Sequence, residues 1–107
     1  MKYFVSYTLR DKVVTKELLQ RFSWKLRKYG EVFVDIIDND SRDKQARVIF
    51  EIDNSNVMIL VKSRNVYKSA WVSIELERAK ERKMPIRIFP VCGLSDLTAS
   101  EIASIIL

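Results

Sequence analysis

Glu75 is the residue of this sequence whose type and position most strongly indicate chemistry. On a helical wheel that advances about 100° per residue from Trp71, Glu75 falls at about 40° and Val72 at about 100°. The carboxylate therefore lies inside an apolar arc, where an unpaired charge is very unfavourable. Two interpretations are open: a structural ion pair with Arg78 or another basic residue, or a reactive carboxylate that faces a cleft.

A second group of polar side chains follows the first apolar run of the chain. Hydroxyl groups, a guanidinium and the start of a helix lie together there, and such a group suits a phosphate or a ribose hydroxyl. The alternative is ordinary turn chemistry, in which Thr8 or Asp11 caps the first helix. The residues concerned are Ser6, Tyr7, Thr8, Arg10 and Asp11.

The acidic run after the second apolar segment is a candidate cation site. Asp35, Asp38 and Asp40 place three carboxylates within six positions, and Mg²⁺ and Ca²⁺ prefer oxygen ligands of this kind. The run lacks the glycine and the ligand spacing of a calcium-binding helix–loop–helix. We therefore interpret it as a polar acidic loop and predict neither a metal site nor a cofactor.

The composition excludes several classes of catalyst. The 107 residues contain no histidine and one cysteine, so the chain can form neither a Ser-His-Asp or Cys-His catalytic group nor a His- or Cys-rich zinc site. A single cysteine also forbids an internal disulfide, which is typical of the reducing cytoplasm. Every apolar stretch is far shorter than the roughly 20 residues that cross a bilayer. We therefore expect one cytoplasmic domain over residues 1–107, without a membrane partner.

The net charge of +5, from 19 basic and 14 acidic residues, indicates a nucleic acid or an anionic small molecule as partner. The basic residues are interleaved with acidic ones along the chain. The cluster at residues 78–83 contains Glu81 and lies at the end of a predicted helix, where cations interact favourably with the helix dipole. Nucleic acid is therefore not the expected partner.

Four short apolar runs, rich in β-branched and aromatic residues, are predicted to be strands. Their nearly continuous hydrophobicity is typical of parallel strands that helices cover on both faces. The alternation of strands and helices predicts a flavodoxin-like three-layer α/β sandwich with a central parallel sheet of four to five strands. The predicted strands are residues 3–7, 32–37, 57–61 and 86–91, and the predicted helices are residues 11–29, 41–53, 69–83 and 98–106.

The predicted elements also indicate where a site belongs. In open α/β sheets ligands bind outside the carboxyl ends of the strands, so we expect the site among the residues that follow Tyr7, Ile37, Val61 and Val91. Ser69 is predicted to cap the third helix, which carries Glu75. The helical pattern of residues 41–53 includes Ala46, Ile49, Phe50 and Asp53 at helical spacing.

Three segments of the chain resemble the Toll/interleukin-1 receptor (TIR) domain family. KYFVSYTLRD is similar to the family's first conserved box, and EVFVD is similar to its second strand. The segment SRNVYKSAWVSIELERAKERKMPIRIFPV resembles the family's serine–tryptophan–glutamate signature, which is carried here by Ser63, Ser69, Trp71, Glu75 and Leu76. The similarity spans residues 2–91. Val72 replaces the common cysteine, the loop after the second strand lacks the usual Pro-Gly, and the third conserved box is not recognisable.

Many bacterial and plant TIR domains cleave NAD, and the resemblance implies the same activity here, in bacterial defence or signalling. NAD would be the substrate rather than a cofactor, and the product would be ADP-ribose or a cyclic isomer. Glu75 would be catalytic, because Trp71 and Glu75 match the family's W-x-x-x-E spacing. The resemblance assigns substrate binding to Ser6, Tyr7, Arg10, Asp11, Ser69 and Trp71.

Two other functions stay open. TIR domains also include non-enzymatic interaction modules, and the resemblance implies a homo-oligomer that forms through TIR–TIR contacts. A nucleoside deoxyribosyltransferase-like enzyme is the third candidate, because such enzymes also use a glutamate on an α/β sheet. Nicotinamide release from NAD distinguishes the first two, and transfer of a base between deoxynucleosides identifies the third.

Overall fold

Four parallel strands form the centre of the computed structural model, which describes residues 1–96 and 98–106. The strand order is β2-β1-β3-β4, and the inner strands β1 and β3 are almost completely buried. This parallel α/β arrangement confirms the predicted flavodoxin-like fold, with four strands in the described part of the chain. The strands are β1 (Lys2–Ser6), β2 (Glu31–Val34), β3 (Val57–Lys62) and β4 (Ile86–Pro90).

Helices cover both faces of the sheet. Side chains from α1 and α5 join one apolar cluster, and side chains from α3 and α4 join a second cluster that includes Phe4, Phe33 and Met58. Among the described residues no helix is long and apolar enough to cross a bilayer. The helices are α1 (Lys16–Leu26), α2 (Asp35–Asp38), α3 (Lys44–Asp53), α4 (Ala70–Glu81) and α5 (Ala99–Ile106), with short 3-10 segments at Val66–Lys68 and Val91–Asp96.

Each of the four predicted helices forms, and N-cap side chains mark where the helices begin. Ser69 caps α4 as predicted, because its Oγ accepts a hydrogen bond from the Val72 amide at 3.2 Å. The first helix starts later than predicted. Thr15, rather than Thr8 or Asp11, caps α1 by accepting from the Leu18 amide at 3.1 Å.

The face of α3 that packs on the sheet differs from the one indicated by the sequence. Val48 and Ile52 are buried against the sheet, whereas the Phe50 side chain is 58% exposed. Asp53, the last residue of α3, accepts hydrogen bonds from Arg78 on α4. Both faces of α3 carry apolar side chains, so the helical period is visible in the sequence but the rotation of the helix is not.

Strand β2 ends three residues earlier than predicted. It ends at Val34, and the next four residues form the single turn α2. Two side chains stabilise this change of direction: Asp38 Oδ2 accepts from the Val34 amide at 2.8 Å, and the Tyr7 hydroxyl accepts from the Ile36 amide at 2.9 Å. As a result Asp35, and not Asp38, follows directly on the carboxyl end of β2.

Candidate active site

Glu75 lies in the middle of α4, on the face that packs against the sheet. Only 4% of the residue is exposed, and its helix neighbours Val72 and Ala79 are also buried. Ser6, the last residue of β1, is fully buried and donates a hydrogen bond from its Oγ to Glu75 Oε1 at 2.9 Å. The packing of α4 on β1 therefore places the carboxylate at the carboxyl end of the sheet, where ligands bind in this fold.

The Glu75 carboxylate forms no salt bridge with any residue that the structure describes. The ion pair with Arg78, which the sequence left open, is not formed, because the Arg78 guanidinium binds both oxygens of Asp53 at 2.8 and 2.7 Å. Burial raises the pKa of Glu75 to about 8, the hydrogen bond from Ser6 acts in the opposite direction, and the negative charge of Asp35 raises the pKa further. At neutral pH this carboxyl group is mostly protonated.

A cavity of about 200 Å³ lies in front of Glu75. Four of the residues assigned to the site by sequence line it directly: Tyr7, Ser69, Trp71 and Glu75. Ser6 touches the site through Glu75. Burial raises the pKa of the Tyr7 hydroxyl well above its ordinary value, so this group stays neutral at physiological pH. The remaining lining residues are Thr8, Leu9 and Asp35.

The structure places Arg10 and Asp11 outside this cavity. Arg10 is exposed, and its Nη1 donates to the backbone carbonyl of Lys68 at 3.3 Å. Asp11 accepts two hydrogen bonds of 2.7 Å from the backbone and side-chain amides of Asn65. Asp11 therefore connects the loop after β1 to the loop after β3. Its role is structural, and it does not line the cavity.

Asp35 is a site residue that the sequence indicated only as part of the acidic run, and not as a neighbour of Glu75. It is half-buried, lines the cavity together with Glu75, and is held by Asn39, whose Nδ2 donates to Asp35 Oδ1 at 2.6 Å. The feature of the sequence that could have identified it is its position directly after the apolar residues 32–34, because ligands bind at the carboxyl ends of the strands in this fold. The sequence predicts a strand that reaches Ile37, so it places the carboxyl end of β2 three residues after its observed position at Val34.

The other carboxylates of the acidic run diverge from Asp35. Asp38 accepts from the Val34 amide and lies 3.6 Å from Arg27, and Asp40 lies 3.6 Å from Arg47. Within residues 1–96 and 98–106, no three acidic or cysteine side chains converge in a way that could hold a metal ion.

A larger cavity, of about 690 Å³, lies beside the edge strand β2 and away from Glu75. Five of its six ionic side chains already bind one another. Lys2 and Arg47 contact Glu51 at 2.5 and 2.8 Å, and Arg27 lies 3.6 Å from Asp38. Since these charges are internally balanced, the smaller cavity at Glu75 is the better candidate for a site.

Comparison with known proteins identifies the family. A family model described as TIR domain matches residues 4–105, and the chain therefore belongs to the TIR domain family. Its fold is similar to the TIR domain of the Toll-related receptor TRR-2 from Hydra magnipapillata, with a TM-score of 0.57 and 22% sequence identity. That match covers 80% of this chain and 66% of the other. No curated protein matches the sequence.

Proposed function

We propose that this TIR domain cleaves the bond between nicotinamide and ribose in NAD and releases ADP-ribose or a cyclic isomer, in bacterial defence or signalling in the cytoplasm. The observation that carries the proposal is Glu75, a buried carboxyl group without a cationic partner among the described residues, at the wall of a cavity. An unpaired buried carboxyl group destabilises the fold, and such groups concentrate at functional sites.

The chemistry of NAD suits a site without histidine. The nicotinamide ring is cationic while it is attached to ribose, so the C1′–N bond breaks with both electrons going to the ring nitrogen, and no acid has to protonate the leaving group. Positive charge then develops on the ribose, as in glycoside hydrolysis. Water attacks C1′ and releases a proton to solvent, or a second nucleophile of the substrate closes a ring.

Glu75 supplies negative charge at that point. In its ionised form the carboxylate stabilises the oxocarbenium-like transition state and accepts hydrogen bonds from the ribose hydroxyls. The approach of a cationic nicotinamide favours ionisation, because a neighbouring opposite charge lowers the pKa of a carboxyl group. Ser6 holds Oε1 by its hydrogen bond at 2.9 Å, and Trp71 provides an aromatic wall for the nicotinamide ring.

Nicotinamide release from NAD by the purified protein at high concentration tests this proposal. Glu75→Gln keeps the size of the side chain and removes its charge, and we expect it to reduce turnover by about 100-fold or more. Glu77→Gln, an exposed position on the same helix, is the matched control and should keep the wild-type rate. Equal turnover by wild type and Glu75→Gln would remove Glu75 from the reaction.

A non-enzymatic interaction module is the second candidate. Large apolar side chains are exposed on several helices, among them Trp24 at 71% on α1 and Phe50 at 58% on α3. Exposed aromatic side chains are common in protein interfaces, including those of homo-oligomers. Absence of turnover by wild type, together with concentration-dependent assembly that Trp24→Ser or Phe50→Ser prevents, would favour this function over NAD cleavage.

A further inference from the structure

A second cavity adjoins the Glu75 cavity and shares two of its walls. It measures about 240 Å³ and lies at the start of α3. Asp35 and Trp71 line both cavities, so these side chains lie between two neighbouring cavities, which are the two halves of one candidate site. The walls found only in the second half are Lys44, Gln45 and Val48.

The two halves differ in charge. Glu75 lines the first half only, Asp35 lies between the two halves, and Lys44, which lines the second half only, is the one cation among the described residues that line either half. The charges of NAD are complementary to this arrangement, because its nicotinamide riboside end is cationic and its pyrophosphate is anionic. Only the orientation with the nicotinamide riboside in the first half brings the cationic end of NAD next to Glu75 and the pyrophosphate next to Lys44.

Asn39 holds the charged groups of both halves in place. The residue is 7% exposed, and its Nδ2 donates to Asp35 Oδ1 at 2.6 Å and to the Lys44 carbonyl at 3.1 Å. In return, Lys44 Nζ donates to the Asn39 backbone carbonyl. An ammonium group has three protons, so Lys44 keeps donors for a ligand while this contact fixes its position.

We infer that the second cavity is a pyrophosphate subsite, in which Lys44 binds the phosphate oxygens and Gln45 offers an amide donor. The inference rests on the proposed function and deepens it. NAD lies across Trp71, with its nicotinamide riboside against Glu75 and Asp35 and its phosphates beside α3. Lys44 contributes substrate affinity and selects phosphate-bearing substrates, whereas Glu75 performs the chemistry.

Two substrates that differ in phosphate content test this subsite. Nicotinamide riboside has the scissile bond of NAD without its phosphates. A charge-assisted hydrogen bond to phosphate contributes enough that Lys44→Gln should lower kcat/KM for NAD, relative to kcat/KM for nicotinamide riboside, by about tenfold. Lys80→Gln removes the same charge from an exposed position on α4 and should leave that ratio at the wild-type value. An unchanged ratio in Lys44→Gln would overturn the inference.

Binding of ADP-ribose separates this inference from the proposed reaction, because ADP-ribose carries the pyrophosphate and requires no turnover. By NMR titration, Lys44→Gln should raise the Kd of ADP-ribose about tenfold, whereas Lys80→Gln should not change it. If no protein cleaves NAD but Lys44→Gln still weakens ADP-ribose binding, the activity fails and the subsite stands. If ADP-ribose binds wild type and Lys44→Gln equally, the subsite fails whatever the activity.

Discussion

Replacing Glu75 with glutamine should stabilise the folded protein at neutral pH even though it slows the proposed reaction by about 100-fold or more. The wild-type side chain is buried and lacks a cationic partner among the described residues, so the folded state favours its neutral form. Glutamine is neutral at every pH and has nearly the same shape. Its amide oxygen accepts the hydrogen bond that Ser6 donates to Glu75 Oε1.

The size and sign of the effect follow from the pKa of Glu75. Its ordinary value is 4.5, and its value in the folded protein is about 8. Below about pH 4.5 both states are protonated and stability is at its maximum. Between the two values the unfolded chain loses its proton and the folded chain keeps it, so stability falls by about 1.4 kcal/mol per pH unit and levels off above about pH 8. Over the interval from 4.5 to pH 7, the loss is about 3 kcal/mol.

Urea unfolding at pH 4, 5.5, 7 and 8 measures this difference. Glu75→Gln should match wild type at pH 4 and exceed it in free energy of unfolding by about 3 kcal/mol at pH 7. The control Glu77→Gln changes an exposed carboxylate two residues away and should follow the wild-type profile. A difference that does not vary with pH, or a wild type more stable than Glu75→Gln at pH 7, would refute the reasoning.

Three further predictions concern the site and the edge of the sheet. If ionised Glu75 is the reactive form, kcat/KM for NAD should rise about tenfold per pH unit up to about pH 8 and then reach a plateau, and a flat profile between pH 6 and 8 would contradict this. Gly30→Ala should lower the free energy of unfolding in urea by about 1–3 kcal/mol, because its Cβ would lie 2.1 Å from the Met1 carbonyl oxygen. That oxygen accepts a hydrogen bond from the Glu31 amide. Unchanged stability would show that Met1 moves aside without cost. Asp38→Ala should cause concentration-dependent self-association in light scattering, since it exposes the Val34 amide on edge strand β2, whereas Asp38→Asn keeps an acceptor and should stay as dispersed as wild type. Equal scattering by the two Asp38 variants would exclude edge protection.

Local sequence patterns were sufficient for the elements and for the burial of Glu75. Strand propensity and helical period depend on residues a few positions apart, so both are readable before the chain is folded. The same period places Glu75 and Val72 on one face of α4, and the structure buries both. The N-cap at Ser69 was predictable for the same reason, because its partner Val72 is three residues away.

The strand end at β2 and the rotation of α3 required the folded chain. The apolar run extends to Ile37. However, the Tyr7 hydroxyl accepts a hydrogen bond from the Ile36 amide and the Asp38 carboxylate accepts one from the Val34 amide, and these bonds stabilise the turn α2 in place of a longer strand. Which face of α3 is buried depends on the fit of Val48 and Ile52 to the sheet. In both cases tertiary contacts select one of several conformations that the local sequence permits.

The sequence by itself determined that Glu75 is a carboxyl group within an apolar helix face, since that depends only on residue type and helical period. Only the tertiary structure decided its partner. Ser6 is 69 positions away in sequence and reaches Glu75 because α4 packs on β1, whereas Arg78, three positions away, is held by Asp53. Contacts between distant segments depend on how helices and strands pack, and that packing turns a buried carboxyl group into a candidate active site.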